Sequence, residues 1–520
     1  MDAQREFRKE APVIAGLISA LVMWFTWGSL NPQPIIEDEV SYVLQSRIFA
    51  SGHWTAPSPP SPDFFQAPHI LTIPVVASKY PPGHALLMSL GSLVGAPALV
   101  PLLLTGLTGA LLFALVRRVS NVWVAALACV IWWSDPIDLR LRPGYFSEVT
   151  TGAMWMIALW ALLEWRERRE TRWLLALAAA IGWGAVTRPL TMLAFAVPIG
   201  VVVLRDVART HRWRDLGLAV ALGCCFLAII PLWSRMTTGD WRLTPQTLYM
   251  HDYLPYDKIG FGLDTTPPAR SLSPVNRFTY IGFRDLHVRH TAANLPRTIW
   301  ERLSVIGHDE WSGPRLVLVP FAVLGLFAMS APLWFALASF LALFASYLAY
   351  GLWAHWTIYY LEGLPILSVI VALGIWSAIT RIRARFSGES FATTRPLAIV
   401  TGALALLAGY ETVTWRGNHQ KDAIWDTAFH ELLAKVPVRS AVIFVHYAQR
   451  IGPHLNVVVN SPDLSADSTW IVSDLGPRNS ELMRYAGGRV PLAFYERDMH
   501  IEPDTSLAAV ALTSREKKDR

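Results

Sequence analysis

The chain alternates between apolar and polar stretches about eleven times, and that alternation limits its fold more than any other property. Apolar runs lie at 12–30, 97–116, 121–134, 148–164, 172–187, 189–204, 215–234, 314–330, 332–350, 359–380 and 396–414. Most approach the roughly 20 residues that cross a bilayer as a helix. Backbone within hydrocarbon must satisfy its own hydrogen bonds, so such runs are expected to be helical. With 53% hydrophobic and only 16% charged residues, the composition agrees. The sequence therefore predicts an all-α polytopic membrane protein with about eleven transmembrane helices.

Short loops set the orientation. With a cytoplasmic N-terminus, the cytoplasmic connections are "RR" at 117–118, "EWRERRETRW" at 164–173, "RDVARTHRWRD" at 205–215 and "RIRARF" at 381–386, all rich in arginine. The opposite loops, 135–147 and "TRP" at 187–189, carry far fewer cations. This is the positive-inside pattern. The first apolar run is too long for a signal-peptide core and lacks a small-residue cleavage site, so a retained span is expected. Net charge is +6, yet the cations are scattered between apolar runs. No basic stripe forms, and nucleic acid is not an expected partner. Cys129, Cys224 and Cys225 all fall in apolar runs, with neither disulfide nor metal spacing.

Three segments fall outside the membrane in this register: 31–96, 235–313 and the tail beyond Trp415. The first two are too long for bare connectors. The tail alternates "SAVIFVHY" and "STWIVSDLG", both strand patterns, with the short helix "NSELMRYAGG". The expected division is a transmembrane domain over 1–414 with those two external loops, followed by a small external α/β domain over 415–520.

Just past the first apolar run, "IIEDEVSYVLQSRIF" sets Glu37, Asp38 and Glu39 side by side. Carboxylates in a first helical turn complement the helix dipole, which accounts for one or two acids. It does not account for three crowded at a membrane exit, where charge is costly. Val40, Val43, Leu44 and Ile48 share one face of the helix that follows, the pattern of a helix lying in the interface plane. Tyr42 stands one turn after Asp38 on the same side. At 77–91, "ASKYPPGHALLMSLG" forces an extended turn before an apolar helix and leaves Lys79 and Tyr80 at its start. A lysine near a span is also ordinary snorkelling.

An acidic "DE" pair after the first span, an amphipathic helix bearing a tyrosine, and a Lys-Tyr-Pro-Pro-Gly turn together resemble the polyprenyl-phosphate-dependent GT-C glycosyltransferases. The nearest resemblance is to bacterial protein mannosyltransferases and aminoarabinose transferases. Motif detail covers the N-terminal half, and topology the rest. The resemblance implies inverting transfer of a sugar from a polyprenyl-phosphate donor to a hydroxyl acceptor, at the periplasmic face of a bacterial inner membrane. It makes Asp38 the base and Glu39 the second letter of the pair. Glu37 has no set counterpart, so which of the three acids is the base stays open. A further external acid is usual, and Glu148 in "RPGYFSEVTTG" is the candidate, with Asp135 and Asp138 as rivals; Glu148 is equally explained by helix-start electrostatics. The sugar, the acceptor and any need for a divalent metal ion are left open.

Transfer from a lipid phosphate releases an anion, which nearby cations stabilise. Lys79 is one candidate, and Arg188 in "VTRPLTML" another, able to bind phosphate in a bidentate way or simply to anchor a span end. In "YGLWAHWTIYYLEGLPIL", His355, Tyr359 and Glu362 are spaced to share a helical face and line the donor-phosphate pocket, while the remaining aromatics suit an interfacial belt. Lys258 and Arg270, in the Pro-rich loop 250–278, are candidates to meet phosphate or sugar beneath a lid. His287 and His290 suit a solvated helical face better than a metal site lacking a third ligand. The rival class, a flippase for lipid-linked sugars, would place charge deep within broken spans. Here the charges cluster at span ends.

Overall fold

The computed structural model describes residues 2–385, 394–438, 440–448 and 456–507. Phe386, the last residue of the arginine-rich loop 381–386, lies outside them. Every predicted apolar run falls on helix. Among the described residues, seven helices are long and apolar enough to cross a membrane: Glu10–Trp27, Leu99–Val119, Pro189–Thr210, Trp213–Thr238, Ala331–Ala349, Pro365–Arg385 and Pro396–Asp422. Val122–Trp133, Thr171–Thr187 and Gly313–Leu326 are shorter apolar helices. The run at 148–164 is carried by Ser147–Arg168, buried on most faces. The chain is thus a multi-pass membrane protein of mainly helical structure with a small C-terminal sheet region.

The residues gather into two compact units. A helical unit comprises 1–32, 98–229 and 292–419; a mixed unit comprises 33–97, 230–291 and 420–520. In the helical unit the first span packs closely on Leu99–Val119 because Gly16 faces Gly106. A Cβ on Gly16 would stand 2.7 Å from the Gly106 carbonyl oxygen. Without a hydrophobic drive between helices in lipid, such small-residue contacts let the backbones approach. Large aliphatic side chains on these and the other apolar helices, among them Leu17, Leu103, Val197, Ile399 and Leu406, remain exposed, as hydrocarbon contact requires.

The mixed unit is built around the helix Glu37–Ala50, the acid helix. Its Val40, Leu44 and Ile48 pack on Ala56, Ala67 and Ile70. The predicted helix is therefore present, but its apolar face is covered by protein instead of lying on a membrane surface. The chain then forms short strands β1 (Ala56–Pro57), β2 (Ile70–Leu71) and β3 (Val75–Ser78), antiparallel in the order β1-β3-β2. The tail supplies β4 (Ala441–His446), β5 (Thr469–Ser473), β6 (Val490–Tyr495) and β7 (His500–Pro503). Their order is β5-β4-β6-β7, with β4 parallel to both neighbours and β7 antiparallel to β6. The apolar run in β4 is buried along nearly its whole length, as a central parallel strand demands.

Candidate active site

The three acids of the triplet have three different surroundings. Glu39 turns back on its own helix, its Oε2 accepting from the backbone N–H groups of Ile35 and Ile36 at 3.0 Å each. It satisfies helix-start donors that would otherwise lack an intrahelical partner. Glu37 is 5% exposed and accepts a 3.5 Å bond at Oε2 from the Asn456 side-chain amide. Burial pushes its carboxyl well above the usual carboxylate range, with the Asn456 bond opposing and Asp38 and Asp426 adding to the rise. Asp38 alone is open, with a side chain 35% exposed.

Asp38 lies among aromatic and basic groups. The Tyr80 hydroxyl donates to its Oδ1 in a short contact, and His69 Nε2 stands 3.7 Å from Oδ2. Tyr80 stacks on Tyr42 with centroids 4.9 Å apart, and Tyr42 meets the His84 ring edge-on. Lys79 is 4% exposed; its ammonium sits 5.0 Å from the Tyr80 ring and 5.1 Å from the Tyr249 ring. No ion pair to Lys79 occurs among the described residues. Burial pushes its pKa below the ordinary lysine value, against the opposing fields of Asp257 and Asp38. Among the described residues, its ammonium is met by π faces and by more distant carboxylates.

A polar clamp joins the two sequence motifs. Ser41 Oγ lies 2.7 Å from Ser78 Oγ and donates to the His69 carbonyl at 2.9 Å. Gln45 Oε1 accepts from the Ser78 backbone N–H at 2.9 Å, and its amide donates to the Trp54 carbonyl. The acid helix is thereby tied to β3, whose next residues are Lys79 and Tyr80. His69 adopts a left-handed backbone (φ 65°), and its N–H donates to the Tyr249 hydroxyl at 3.0 Å. Sequence reasoning missed His69, His84 and Tyr249. Only the three-dimensional pairing of distant segments reveals them.

A second cluster lies in the helical unit. Arg188 donates to Glu148 Oε1 in a short contact, pairs with Glu362 Oε1 at 3.2 Å, and donates to the Tyr347 hydroxyl at 3.0 Å. Its guanidinium lies over the Tyr359 ring at 5.4 Å. Thr151 adds a 2.6 Å hydrogen bond to Glu362. Glu148 and Glu362 are 4% and 1% exposed. Four predicted residues, Glu148, Arg188, Tyr359 and Glu362, thus converge, but the Arg188 donors are already engaged.

His355 does not join them. Residues 350–356 are not helical, so the spacing that would align it with Glu362 has no helix to act through. It lies instead against Trp353 and Trp356, and burial followed by Arg140 lowers its pKa. Asp135 caps the helix Pro136–Leu141, and Asp138 is held by Arg142 and the Trp132 indole. Lys258 pairs with Asp264 at 2.5 Å and Arg270 with Asp252 at 2.7 Å, both within their own loop. His287 and His290 are 1% and 4% exposed, which corrects the expected solvated face. His287 Nδ1 lies 2.9 Å from the Phe283 carbonyl and its ring packs on Tyr256. Among the described residues, no group of three or more His, Cys, Asp or Glu is arranged to hold a metal ion. The residues therefore do not fit a resident divalent cation, and no step is assigned to one.

Residues 79–234 match the family model described as dolichyl-phosphate-mannose-protein mannosyltransferase. No curated protein sequence matches the chain. Among solved structures, the chain is similar to ArnT from Cupriavidus metallidurans bound to undecaprenyl phosphate, at 16% identity and TM-score 0.53, covering 97% of this chain and 95% of that one. The apo state of the same protein gives 14% identity and TM-score 0.54, covering 96% and 94%. At such identity the likeness shows the fold, and it extends over nearly the whole of both chains. The chain therefore shares the fold of ArnT over nearly its whole length, in line with the expected resemblance, and the mannosyltransferase-model match begins at Lys79.

Proposed function

We propose that the chain is an inverting glycosyltransferase that moves a sugar from a polyprenyl-phosphate donor to a hydroxyl acceptor, at the periplasmic face of a bacterial inner membrane. Asp38 takes the acceptor hydroxyl proton as its oxygen attacks the anomeric carbon. The bond from that carbon to the phosphate oxygen breaks, and the electron pair leaves on the lipid phosphate. Lys79 receives this anion in a largely dry setting, where the interaction is strong. Tyr80 orients Asp38 through its hydroxyl. The observation that carries the reading is this pairing of one accessible carboxylate with one buried ammonium, without an ion pair among the described residues, on segments clamped together.

In this reading Glu39 serves the helix start. Arg188, Glu148, Tyr359 and Glu362 brace the helical unit, and the phosphate falls to Lys79. The test is donor cleavage and sugar transfer from a mixed pool of polyprenyl-phosphate sugars, by membranes carrying wild type or Asp38→Asn at equal expression. Transfer by wild type that collapses in the variant is expected and names the donor. Equal transfer by both would remove Asp38 as the base. No transfer by either, with lipid-linked sugar crossing the bilayer, would overturn the enzyme reading.

A further inference from the structure

Two members of the acid triplet meet the C-terminal domain. Glu37 receives the Asn456 amide, and Asn456 is itself fixed: its Oδ1 accepts from the Tyr447 hydroxyl at 2.8 Å and from the Val458 N–H at 3.0 Å. Two donors on Oδ1 settle the orientation of the amide, so Nδ2 must face Glu37. Glu39 lies within the field of Asp426, from the helix Ile424–Ala434. One flank of Asp38 is thus bonded to, and the other lies in the field of, a residue about four hundred positions later in the chain.

The Glu37 arrangement is more than packing requires. A buried side chain that served only to fill space would be apolar, because an incompletely satisfied buried carboxyl costs free energy. Glu37 Oε1 has no hydrogen-bond partner among the described residues. Tyr249, which flanks Lys79, and Tyr447 both lie in its field.

We propose that the C-terminal domain is a positioning element of the transfer site: Asn456, oriented by Tyr447, receives Glu37 and so fixes the helical turn that presents Asp38. This rests on Asp38 being the base. Glu37 acts here as a neutral acid, in line with the upward push of burial on its carboxyl. That leaves Asp38 without a second full charge beside it on this flank. The tail is then a working part of the site and not an appended module.

The test uses the full-length protein in lipid nanodiscs with the same pool of polyprenyl-phosphate sugars. Asn456→Ala is expected to lower kcat about tenfold with KM within about twofold, since a misplaced base costs rate more than binding. Glu37→Gln, which keeps the shape and neutrality, is expected to stay within about threefold of wild type. Because Asn456 works through Asp38, adding Asn456→Ala to Asp38→Asn should reduce the residual activity no further. If Asn456→Ala fails to fold, Tyr447→Phe removes only the hydroxyl that orients the amide and should lower kcat in the same direction. Wild-type kcat in a folded Asn456→Ala or Tyr447→Phe protein, or additive losses with Asp38→Asn, would overturn the proposal and leave Asn456 a structural contact. Undiminished transfer by Asp38→Asn would instead overturn the base assignment beneath it.

Discussion

The molecule holds two clusters in which acids and a cation meet beside tyrosines, and they are built to opposite ends. In the helical unit, Arg188 is bonded to two carboxylates and a phenol, and both acids are almost fully buried. In the mixed unit, Asp38 is partly exposed, and the Lys79 ammonium lies against two ring faces with no ion pair among the described residues. A closed ion network spends its charge on internal partners and so holds helices in register. In the proposed function, the more exposed cluster serves a ligand. What separates the two clusters is how deeply their carboxylates are buried and how their cation is held.

The largest effect that would break this contrast is expected at Asp38. Asp38→Asn should lower turnover by roughly 10²–10⁴, the range for losing a general base, with thermal stability unchanged. In the closed cluster the loss should appear in stability: Arg188→Gln removes one partner from two buried carboxylates and should cost about 3–5 kcal/mol, read by thermal unfolding in detergent. A folded, stable Arg188→Gln protein with abolished transfer would reverse the comparison. Lys79→Gln should lower turnover by roughly 10²–10³ while leaving the fold intact, because its ammonium has no ion pair to lose.

Acidity sharpens the same contrast. The folded-state pKa of Lys79 lies below its reference of 10.5, so the ammonium required for transfer is lost as pH rises through the lowered value. The alkaline limb of the rate profile should therefore fall before pH 10.5, and Lys79→Arg should move it upward. Stability follows the other sign: the strain of burying the charge is full below the folded pKa and is relieved as pH climbs towards 10.5. For Glu37 the folded pKa is raised, so its contribution is full below about 4.5 and is lost as pH rises through the folded value. Glu37→Gln should flatten that dependence, although Asp426, Tyr249 and Tyr447, whose pKa values burial also raises, keep their own titrations. The smallest effect is expected at Glu39. Glu39→Ala should cost about 1 kcal/mol as a lost helix-start bond.

Much of this organisation was legible along the chain. Apolar run length located the helices, and the crowding of three acids and the Lys-Tyr-Pro-Pro-Gly turn marked the two segments that the Ser41 and Gln45 clamp joins. The division of labour within the triplet was not legible. It depends on which backbone N–H groups Glu39 can reach and on Asn456, some 419 positions away from Glu37. His355 illustrates the opposite error: a spacing of four and three aligns side chains only where a helix exists, and none forms at 350–356. His287 and His290 misled because a histidine pair on a helix looks solvated until the elements that cover it are known.

The Ser41 and Gln45 clamp on Ser78 has a consequence for how such proteins are found. The clamp fixes Asp38 and Lys79 in space at the ends of a stretch whose own length does not set their separation. The exposed turn at 51–53 can be lengthened at little thermodynamic cost, whereas Ala56, Ala67, His69 and Ile70 in the same stretch are held by contacts with the acid helix. Length can therefore vary at that turn without moving the acid or the lysine. Kinship in this architecture is better traced by what the clamp holds together than by the count of residues between.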